Sequence, residues 1–305
     1  MADLVLVAAV VLVLILVYVG VALIRRYPGE LKSSDRTGGG PTEGTPPASG
    51  SVPRAMDHIE EIRARLGSPA MVFLDYDGTL TPIVDDPSRA TIGNTERSVL
   101  GALAQRLPVA IVSGRGMEDV KRLVAVQGLT YAGSHGFEIE LPDGETFEHP
   151  DAGRLAVEID RAHRRLVEDA GGLDGVFVER KPFAIALHTR RAKSDQVRDR
   201  VRDLAERVAA QFDALAVAGG KEIHEIRPAL DWHKGRAVEH VLRKLPGDPR
   251  PLYIGDDETD EDAFRIVRVL GGVAVLVGPS TGTSADYTLA DPGETIEFLT
   301  RLAVD

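Results

Sequence analysis

Apolar residues occur in short, nearly continuous runs that alternate with segments of helical periodicity over most of the chain. The residues at 99–107 and 238–245 repeat apolar positions at the spacing of a helix. Runs of apolar residues are typical of parallel strands that are buried on both faces. Five such runs occur, at 71–74, 109–112, 129–132, 252–254 and 273–277. The alternation predicts an α/β fold with a doubly wound parallel sheet.

The middle of the chain, from about Leu141 to Pro228, breaks this alternation. Its pattern predicts two αββ units in tandem, which indicates a small α+β domain inserted into the larger fold. The predicted elements are helix 152–169, strands 176–179 and 183–188, helix 195–212, and strands 215–217 and 222–226. We therefore expect the larger fold to use residues 56–140 and 229–305, with the insertion at 141–228.

The N-terminal region has a different character. Residues 4–24 form a run of 21 residues without a charge, long enough as a helix to span about 30 Å of bilayer. Only Asp3 precedes the run, while Arg25 and Arg26 follow it, which favours an uncleaved membrane anchor over a signal peptide. Because positive charge stays in the cytoplasm, the rest of the chain is expected on the cytoplasmic side. Residues 25–55, rich in Gly, Pro, Ser and Thr, are expected to form a flexible linker.

Composition narrows the function classes. The 305 residues are 43% hydrophobic, which is enough for a sizeable core, and no cysteine is present to form disulfides or thiolate metal sites. A net charge of −11 without a basic stripe argues against nucleic-acid binding. Any anionic ligand would need positive charge that is concentrated in its site.

Two carboxylates stand directly after the first apolar run, in the segment DYDGT at 75–79. Ligands bind at the carboxyl ends of strands in open α/β sheets, so Asp75 could act as a nucleophile and Asp77 as a proton shuttle. Gly78 would let the backbone turn sharply and approach a ligand. The alternative is an ordinary turn, since Asp and Gly favour turns.

A second acidic cluster, DDETDED at 256–262, follows another apolar run. Its oxygen ligands suit a hard cation, and an incomplete ligand set suits Mg²⁺. The alternative is a negatively charged helix N-terminus, which explains Asp260 to Asp262 but not Asp256 beside the strand.

Two weaker signals gain meaning beside these carboxylates. The segment Ser113-Gly114-Arg115 follows a predicted strand and precedes a helix, where hydroxyl and backbone N–H groups could hold a phosphate. Lys234 opens a predicted helix at 234–245, at the end that is unfavourable for a cation, which indicates a nearby anion.

In this order the four elements resemble the four motifs of the haloacid dehalogenase superfamily of phosphatases, over about residues 72–299. The segments FLDYDGTLTPIVDDP, VSGR, YAGSHGFEIE, ERKPFAIALHTR, KEIHEIRP, KGRAV and YIGDDETDEDAF are more closely similar to the trehalose-6-phosphate phosphatase family. The position of the insertion matches the α+β cap of that family.

The resemblance implies a magnesium-dependent phosphatase with an aspartyl-phosphate intermediate. Asp75 would attack phosphorus, and Asp77 would protonate the departing sugar oxygen and then deprotonate water. Mg²⁺ would be held by the Asp75 side chain, the Asp77 backbone carbonyl and Asp256, with Asp257 or Asp260 supporting through water. Lys234 and Arg115 would neutralise charge, while Thr79, Ser113 and Gly114 would contact the phosphoryl group.

The cap would then recognise the sugar, since the four motifs contact only phosphate and metal. The resemblance implies that Glu179, Lys181, Lys221 and Glu225 bind sugar hydroxyls, although a solvated strand face is the alternative. His135 and His188 are similar to family positions, and a structural role is an equal alternative for both.

Two rival functions remain open from the sequence. One is another sugar-phosphate phosphatase of the superfamily, acting on sucrose phosphate or a glycosyl phosphoglycerate. The other is a catalytically inactive, membrane-anchored binding protein, which would be expected to lack at least one of Asp75, Asp77, Lys234 and Asp256.

Overall fold

The computed structural model describes residues 52–84, 87–220, 223–280 and 282–303. The predicted membrane span at 4–24 and almost all of the predicted linker at 25–55 lie outside these residues, as does Lys221. Within the described ranges, no helix combines the length and apolar character needed to cross a bilayer.

Regular elements alternate along the described chain much as the hydrophobic pattern predicts. The strands are β1 (Ala70–Leu74), β2 (Val109–Val112), β3 (Thr130–Gly133), β4 (Glu138–Glu140), β5 (Thr146–Glu148), β6 (Phe177–Lys181), β7 (Ala184–His188), β8 (Leu215–Gly220), β9 (Ile223–Pro228), β10 (Arg250–Gly255), β11 (Val273–Val277) and β12 (Tyr287–Leu289). The α-helices are α1 (Ile59–Leu66), α2 (Asn94–Ala104), α3 (Met117–Val124), α4 (Ala152–Ala170), α5 (Asp195–Ala209), α6 (Lys234–Leu242), α7 (Glu261–Val269) and α8 (Pro292–Leu302).

The larger sheet has eight strands in the order β12-β11-β10-β1-β2-β3-β4-β5. Neighbouring strands from β12 to β3 are parallel, and β4 and β5 extend the sheet in antiparallel pairs. The five predicted parallel strands are all present. Strands β4, β5 and β12 have only three residues each and were not predicted.

Two apolar cores cover the two faces of this sheet, because alternate strand residues point to opposite sides. On one side, Val72 and Leu74 of β1 belong to a buried cluster with residues of α1, α2, α3 and α8. On the other side, Met71 and Phe73 belong to a cluster with residues of α6 and α7. Helices on both faces confirm the doubly wound arrangement.

A second sheet has four antiparallel strands in the order β6-β7-β9-β8, which follow α4 and precede α6 along the chain. Helices α4 and α5 pack on one face of it around Ile185, Leu187 and Ile226. We call residues 152–228 the cap and the rest of the described chain the core. The boundary that we expected at residue 141 needs correction, because β5 pairs with β4 in the larger sheet. The short polar strand β5 gave no apolar run from which to predict it.

Candidate active site

The candidate site lies where parallel strands of the core end. Asp75 follows β1, Ser113 follows the neighbouring strand β2, and Asp256 follows β10 on the other side of β1. Parallel strands present their carboxyl ends along the same edge of a sheet. The topology therefore brings together residues that are up to 181 positions apart in the sequence.

Lys234, the first residue of α6, connects the two acidic segments. Its Nζ lies 3.0 Å from Oδ1 of Asp75 and 2.8 Å from Oδ1 of Asp260. The Lys234 side chain is only 2% exposed, and those of Asp75 and Asp260 are 6% and 0% exposed. Because an isolated buried charge is costly, this lysine and its two carboxylates depend on one another.

Asp260 fixes the loop that carries Asp256. Its Oδ1 accepts hydrogen bonds from Lys234 Nζ and from the Tyr253 hydroxyl, the latter at 2.6 Å. Its Oδ2 accepts from the backbone N–H groups of Asp256 and Asp257, at 3.0 and 3.2 Å. Sequence reasoning gave Asp260 only a supporting place behind Asp256. The available sequence signal was Tyr253 itself, a hydroxyl group within an apolar run, because a buried hydroxyl needs a hydrogen-bond partner.

The cluster carries more negative than positive charge. Burial raises the pKa of Asp75 well above its usual value, and it raises the pKa of Asp256 to about 7. Burial by itself would lower the pKa of Lys234, but the adjacent carboxylates, Asp260 first, raise it well above its usual value. Asp257 adds a further carboxylate 4.0 Å from the ammonium group. One ammonium group thus faces four carboxylates.

A divalent cation fits this surplus. Oxygens of Asp75, Asp256 and Asp260 lie within 4.8 Å of one another, the one such group of possible metal ligands found in the described ranges. Because the oxygens of Asp260 already accept four hydrogen bonds, Asp75 and Asp256 have the more available lone pairs. An all-oxygen set of carboxylates suits Mg²⁺.

The Asp77–Gly78 backbone lies against the same carboxylates. Gly78 has a φ of +78°, and a Cβ at this position would stand 1.9 Å from Oδ2 of Asp256. A glycine is needed because any side chain would occupy the space of that carboxylate. Thr79 donates a hydrogen bond to Oδ1 of Asp256 at 3.5 Å, a contact that the sequence did not indicate.

The side chain of Asp77 points to Arg115 rather than to Lys234. Arg115 Nε and Nη2 each donate to one Asp77 oxygen, both at 2.7 Å. The backbone N–H of Arg115 donates to the Ser113 hydroxyl at 3.1 Å, and Ser113 is 1% exposed. From the sequence, Arg115 was predicted to bind phosphate. Its bidentate ion pair with Asp77 was not predicted.

A cleft of about 1540 Å³ separates the core residues from the open face of the cap sheet. Its lining includes the core residues Asp75, Asp77, Ser113, Gly114, Arg115 and Lys234, and the cap residues Glu179, Lys181, His188 and Glu225. The core and the cap also touch directly: a Cβ at Gly116 would lie 2.9 Å from Cγ of Pro182, in the β6–β7 turn. All the candidate catalytic and sugar-binding residues within the described ranges thus line this cleft.

The cap side of the cleft carries a row of paired charges. Lys181 Nζ lies 2.9 Å from Oε1 of Glu225, and Nε2 of His188 lies 2.8 Å from Oε2 of Glu179. The hydrogen bond from His188 lowers the pKa of Glu179. Lys181 lowers the pKa of Glu225 against the opposing effect of burial. Their side chains are 16–34% exposed, so solvent or a ligand can reach them.

His135 lies where the core and cap charges approach each other. A Cβ at Gly114 would stand 2.8 Å from the His135 ring, so Gly114 gives the ring its place. Burial, assisted by the charge of Lys234, lowers the pKa of His135 to about 4. The imidazole is therefore neutral at physiological pH.

Comparison with known proteins places the chain in a family. The sequence profile of the trehalose-phosphatase family matches residues 73–293. A trehalose-phosphate phosphatase of Mycobacterium avium is 43% identical over 249 residues, which cover 78% of this chain and 63% of the relative. The chain thus spans less than two thirds of that relative's length.

Solved structures agree with the sequence matches. The C-terminal domain of the C. albicans trehalose-6-phosphate phosphatase is 25% identical and aligns with a TM-score of 0.70, covering 84% of this chain and 99% of that domain. A haloacid dehalogenase-like hydrolase from Bacteroides thetaiotaomicron shares the fold at 17% identity, with a TM-score of 0.51 and coverage of 76% of this chain and 98% of that one. The chain has the haloacid dehalogenase-like fold and belongs to the trehalose-phosphatase family.

Proposed function

We propose that this chain hydrolyses trehalose 6-phosphate to trehalose and inorganic phosphate through a phosphorylated Asp75. The observation that carries the proposal is the contact of Asp75 with Lys234, at 3.0 Å, on the floor of a cleft whose opposite wall is polar. The names of the relatives in Mycobacterium avium and C. albicans support the choice of sugar phosphate.

In the first step a carboxylate oxygen of Asp75 attacks phosphorus. A bond forms between that oxygen and phosphorus, the bond between phosphorus and the sugar oxygen breaks, and Asp77 donates a proton to the departing oxygen. Lys234 lowers the repulsion between the attacking carboxylate and the phosphate dianion. Its burial strengthens this effect, because few water molecules screen the charge.

In the second step water attacks the phosphorus of phospho-Asp75. Asp77 accepts a proton from the water, the bond between Asp75 and phosphorus breaks, and inorganic phosphate leaves. Asp77 thereby returns to the protonated state in which it can begin the next cycle.

Mg²⁺ is the proposed cofactor, held by the Asp75 side chain, the backbone carbonyl of Asp77 and Asp256. When bound, it supplies positive charge to the phosphoryl oxygens. Asp260 orients the Asp256–Asp257 backbone through its hydrogen bonds, and Asp257 stands near enough to support through water. The surplus of carboxylates over ammonium groups supports this assignment.

The remaining residues of the core bind the phosphoryl group in this proposal. Ser113 and the backbone of Gly114 border the cleft beside Asp75, where they can donate to phosphoryl oxygens. Thr79 would exchange its contact with Asp256 for one with phosphate, and Arg115 adds positive charge near the departing oxygen.

The sugar is assigned to the cap, here residues 152–228. Glu179, Lys181 and Glu225 lie on the open face of its sheet and line the cleft. Sugar hydroxyls can replace the contacts that these side chains now make with one another. Buried polar groups left without partners by the wrong sugar would then provide specificity.

The proposal is tested by phosphate release from the full chain with a panel of sugar phosphates, with Mg²⁺ and with a chelator. We expect metal-dependent turnover of trehalose 6-phosphate well above that of glucose 6-phosphate, sucrose phosphate and a glycosyl phosphoglycerate. Similar kcat/KM for all of them would contradict the trehalose assignment. Turnover that the chelator leaves unchanged would contradict the magnesium site.

The membrane anchor at 4–24 and the cytoplasmic orientation stay predictions from the sequence. We propose that the core and cap face the cytoplasm, since the two arginines follow the apolar run. The test is to fuse to the C-terminus a reporter enzyme that is active only outside the cytoplasm. We expect this fusion to be inactive, and an active fusion would contradict the proposed orientation.

A further inference from the structure

Arg115 contacts two carboxylates at once. Its Nε and Nη2 donate to the two oxygens of Asp77, and its Nη1 donates to Oδ2 of Asp119 at 3.0 Å. The Arg115 side chain is 11% exposed, whereas those of Asp77 and Asp119 are 41% and 40% exposed. The guanidinium is thus the buried member of the three, and it contacts both oxygens of Asp77.

Asp119 and Tyr76 are among the neighbours that contact the Arg115 guanidinium. Asp119 lies in the first turn of α3, four residues after Arg115, and reaches Nη1 on the side of the guanidinium away from Asp77. The Tyr76 ring lies 5.4 Å from Cζ of Arg115, and the Tyr76 hydroxyl is fixed by a 2.7 Å hydrogen bond to the Ala90 carbonyl. The Tyr76 ring packs beside the guanidinium, and the hydrogen bond to Asp119 opposes rotation of the guanidinium within its own plane.

A bidentate contact depends on that rotation. The two parallel N–H groups of a guanidinium fit a carboxylate only when both groups lie in one plane and face each other. A small misplacement of a catalytic group can lower the rate about a hundredfold. The first step requires Asp77 to point at the departing oxygen, so the aim of Asp77 depends on the aim of Arg115.

We propose that Asp119 is a positioning residue: through Arg115, it holds the Asp77 side chain in line with the departing oxygen of the substrate. The inference rests on the proposed function, because it takes Asp77 as the acid. It assigns a role to a residue outside the four sequence motifs.

The chemistry of the first step gives this role a specific signature. An alcohol oxygen, as in a sugar phosphate, leaves readily only if it receives a proton, whereas a nitrophenolate oxygen leaves without one. The ratio kcat/KM reports the steps up to release of the leaving group. A residue that positions the acid should therefore affect kcat/KM for the sugar phosphate and spare kcat/KM for the aryl phosphate.

The test compares Asp119→Ala, Asp119→Asn and Arg122→Gln in the full chain. Asp119→Ala should lower kcat/KM for trehalose 6-phosphate by about 10- to 100-fold, a part of the roughly 10²- to 10⁴-fold that general acid–base catalysis contributes, and that for p-nitrophenyl phosphate by less than about threefold. Asp119→Asn, which keeps an acceptor oxygen for Nη1, should fall between Asp119→Ala and the wild type. Arg122 is the exposed second partner of Asp119, so Arg122→Gln should change neither value.

Equal losses with both phosphates, or no loss with either, would overturn the proposal for Asp119 and leave the proposed function standing. If the wild type hydrolyses a different alkyl phosphate, that substrate replaces trehalose 6-phosphate, and only the proposed function fails. If it hydrolyses none, crystal structures of Asp119→Ala and the wild type decide. An unchanged bidentate contact between Arg115 and Asp77 would overturn the proposal, and a broken one would support it.

Discussion

Two lysines face the same cleft, Lys234 from the core and Lys181 from the cap, and their surroundings differ. Lys234 is 2% exposed and lies between Asp75 and Asp260. The Lys181 side chain is 29% exposed and contacts Glu225, whose side chain is 16% exposed. The core lysine is fixed before any ligand arrives, whereas the cap lysine can exchange its partner.

This difference matches the two tasks that we propose for the site, catalysis by the core and sugar recognition by the cap. Charges that stabilise a transition state act most strongly when they are held in advance and shielded from water. Side chains that recognise hydroxyl groups must instead release one hydrogen bond to make another, which a partly exposed pair can do at lower cost than a fully buried one. The contrast predicts that removing Asp75 or Lys234 from the core abolishes hydrolysis of every phosphate substrate, and that changes in the cap affect only substrates that carry the sugar.

The largest effect is expected from Asp75→Asn. Loss of the nucleophile should lower kcat by at least about 10⁴-fold, for trehalose 6-phosphate and p-nitrophenyl phosphate alike. Lys234 would keep Asp260 as a partner, so the variant should still fold, as thermal melting would check. Asp143→Asn, at an exposed loop position, is the matched control and should behave as the wild type. Substantial turnover of either phosphate by Asp75→Asn would refute the role of Asp75.

A smaller and selective effect is expected from Lys181→Met. Loss of a charged hydrogen-bonding group costs about 1.5–3 kcal/mol, or roughly 10- to 150-fold in kcat/KM for the sugar phosphate. The aryl phosphate has no sugar, so its kcat/KM should change little. Lys193→Met removes a cap lysine whose side chain is 81% exposed and paired with Asp174, and should leave both values unchanged. A parallel loss with both phosphates would erase the proposed division between core and cap.

The smallest effect concerns His135, which lies between the two charge clusters. Its pKa is lowered from 6.5 to about 4. As the pH falls through this interval, the unfolded chain binds a proton that the folded chain does not, so the free energy of unfolding decreases. The whole change in the pKa of His135 would correspond to a decrease of roughly 3 kcal/mol in the free energy of unfolding. We expect about 1–2 kcal/mol, since His135 as a residue keeps some exposure to solvent, which weakens the effect of burial.

Urea unfolding of the wild type and His135→Asn at pH 7.5 and pH 4.5 measures this effect. The variant should lose less stability than the wild type between the two pH values. Above pH 7 the histidine is neutral in both states, so the difference between the two proteins should be constant there. An identical loss in both proteins would mean that the imidazole is already solvated.

The sequence predicts the architecture well where burial leaves a continuous apolar run. The five parallel strands of the core and the six elements of the cap occur close to their predicted positions. Strands such as Glu138–Glu140 and Thr146–Glu148 escape prediction because they are short and carry polar residues at both ends. Their strand character comes from pairing with a neighbour, which a local pattern does not contain.

The residues of the candidate site also divide into those that the sequence pattern indicates and those that it does not. Asp75, Lys234 and Asp256 are recognisable because each stands at the end of a predicted strand or the start of a predicted helix. The bidentate contact of Arg115 with Asp77 is not recognisable, since it depends on the angle at which two loops meet. Asp119 resembles any acidic residue in the first turn of a helix, where the helix dipole favours it anyway.

Pro182 of the cap lies so close to Gly116 of the core that only a hydrogen atom fits at the Gly116 Cα. Proline is rigid, so it cannot fold away from a methyl group 2.9 Å from its Cγ, and the β6–β7 turn would have to lift. The distance between the cap and the core is therefore limited at a position outside the proposed catalytic and sugar-binding residues. Gly116→Ala would therefore hold the cap farther from the core. It would change how closely the cleft surrounds a ligand without altering any of the proposed reacting groups.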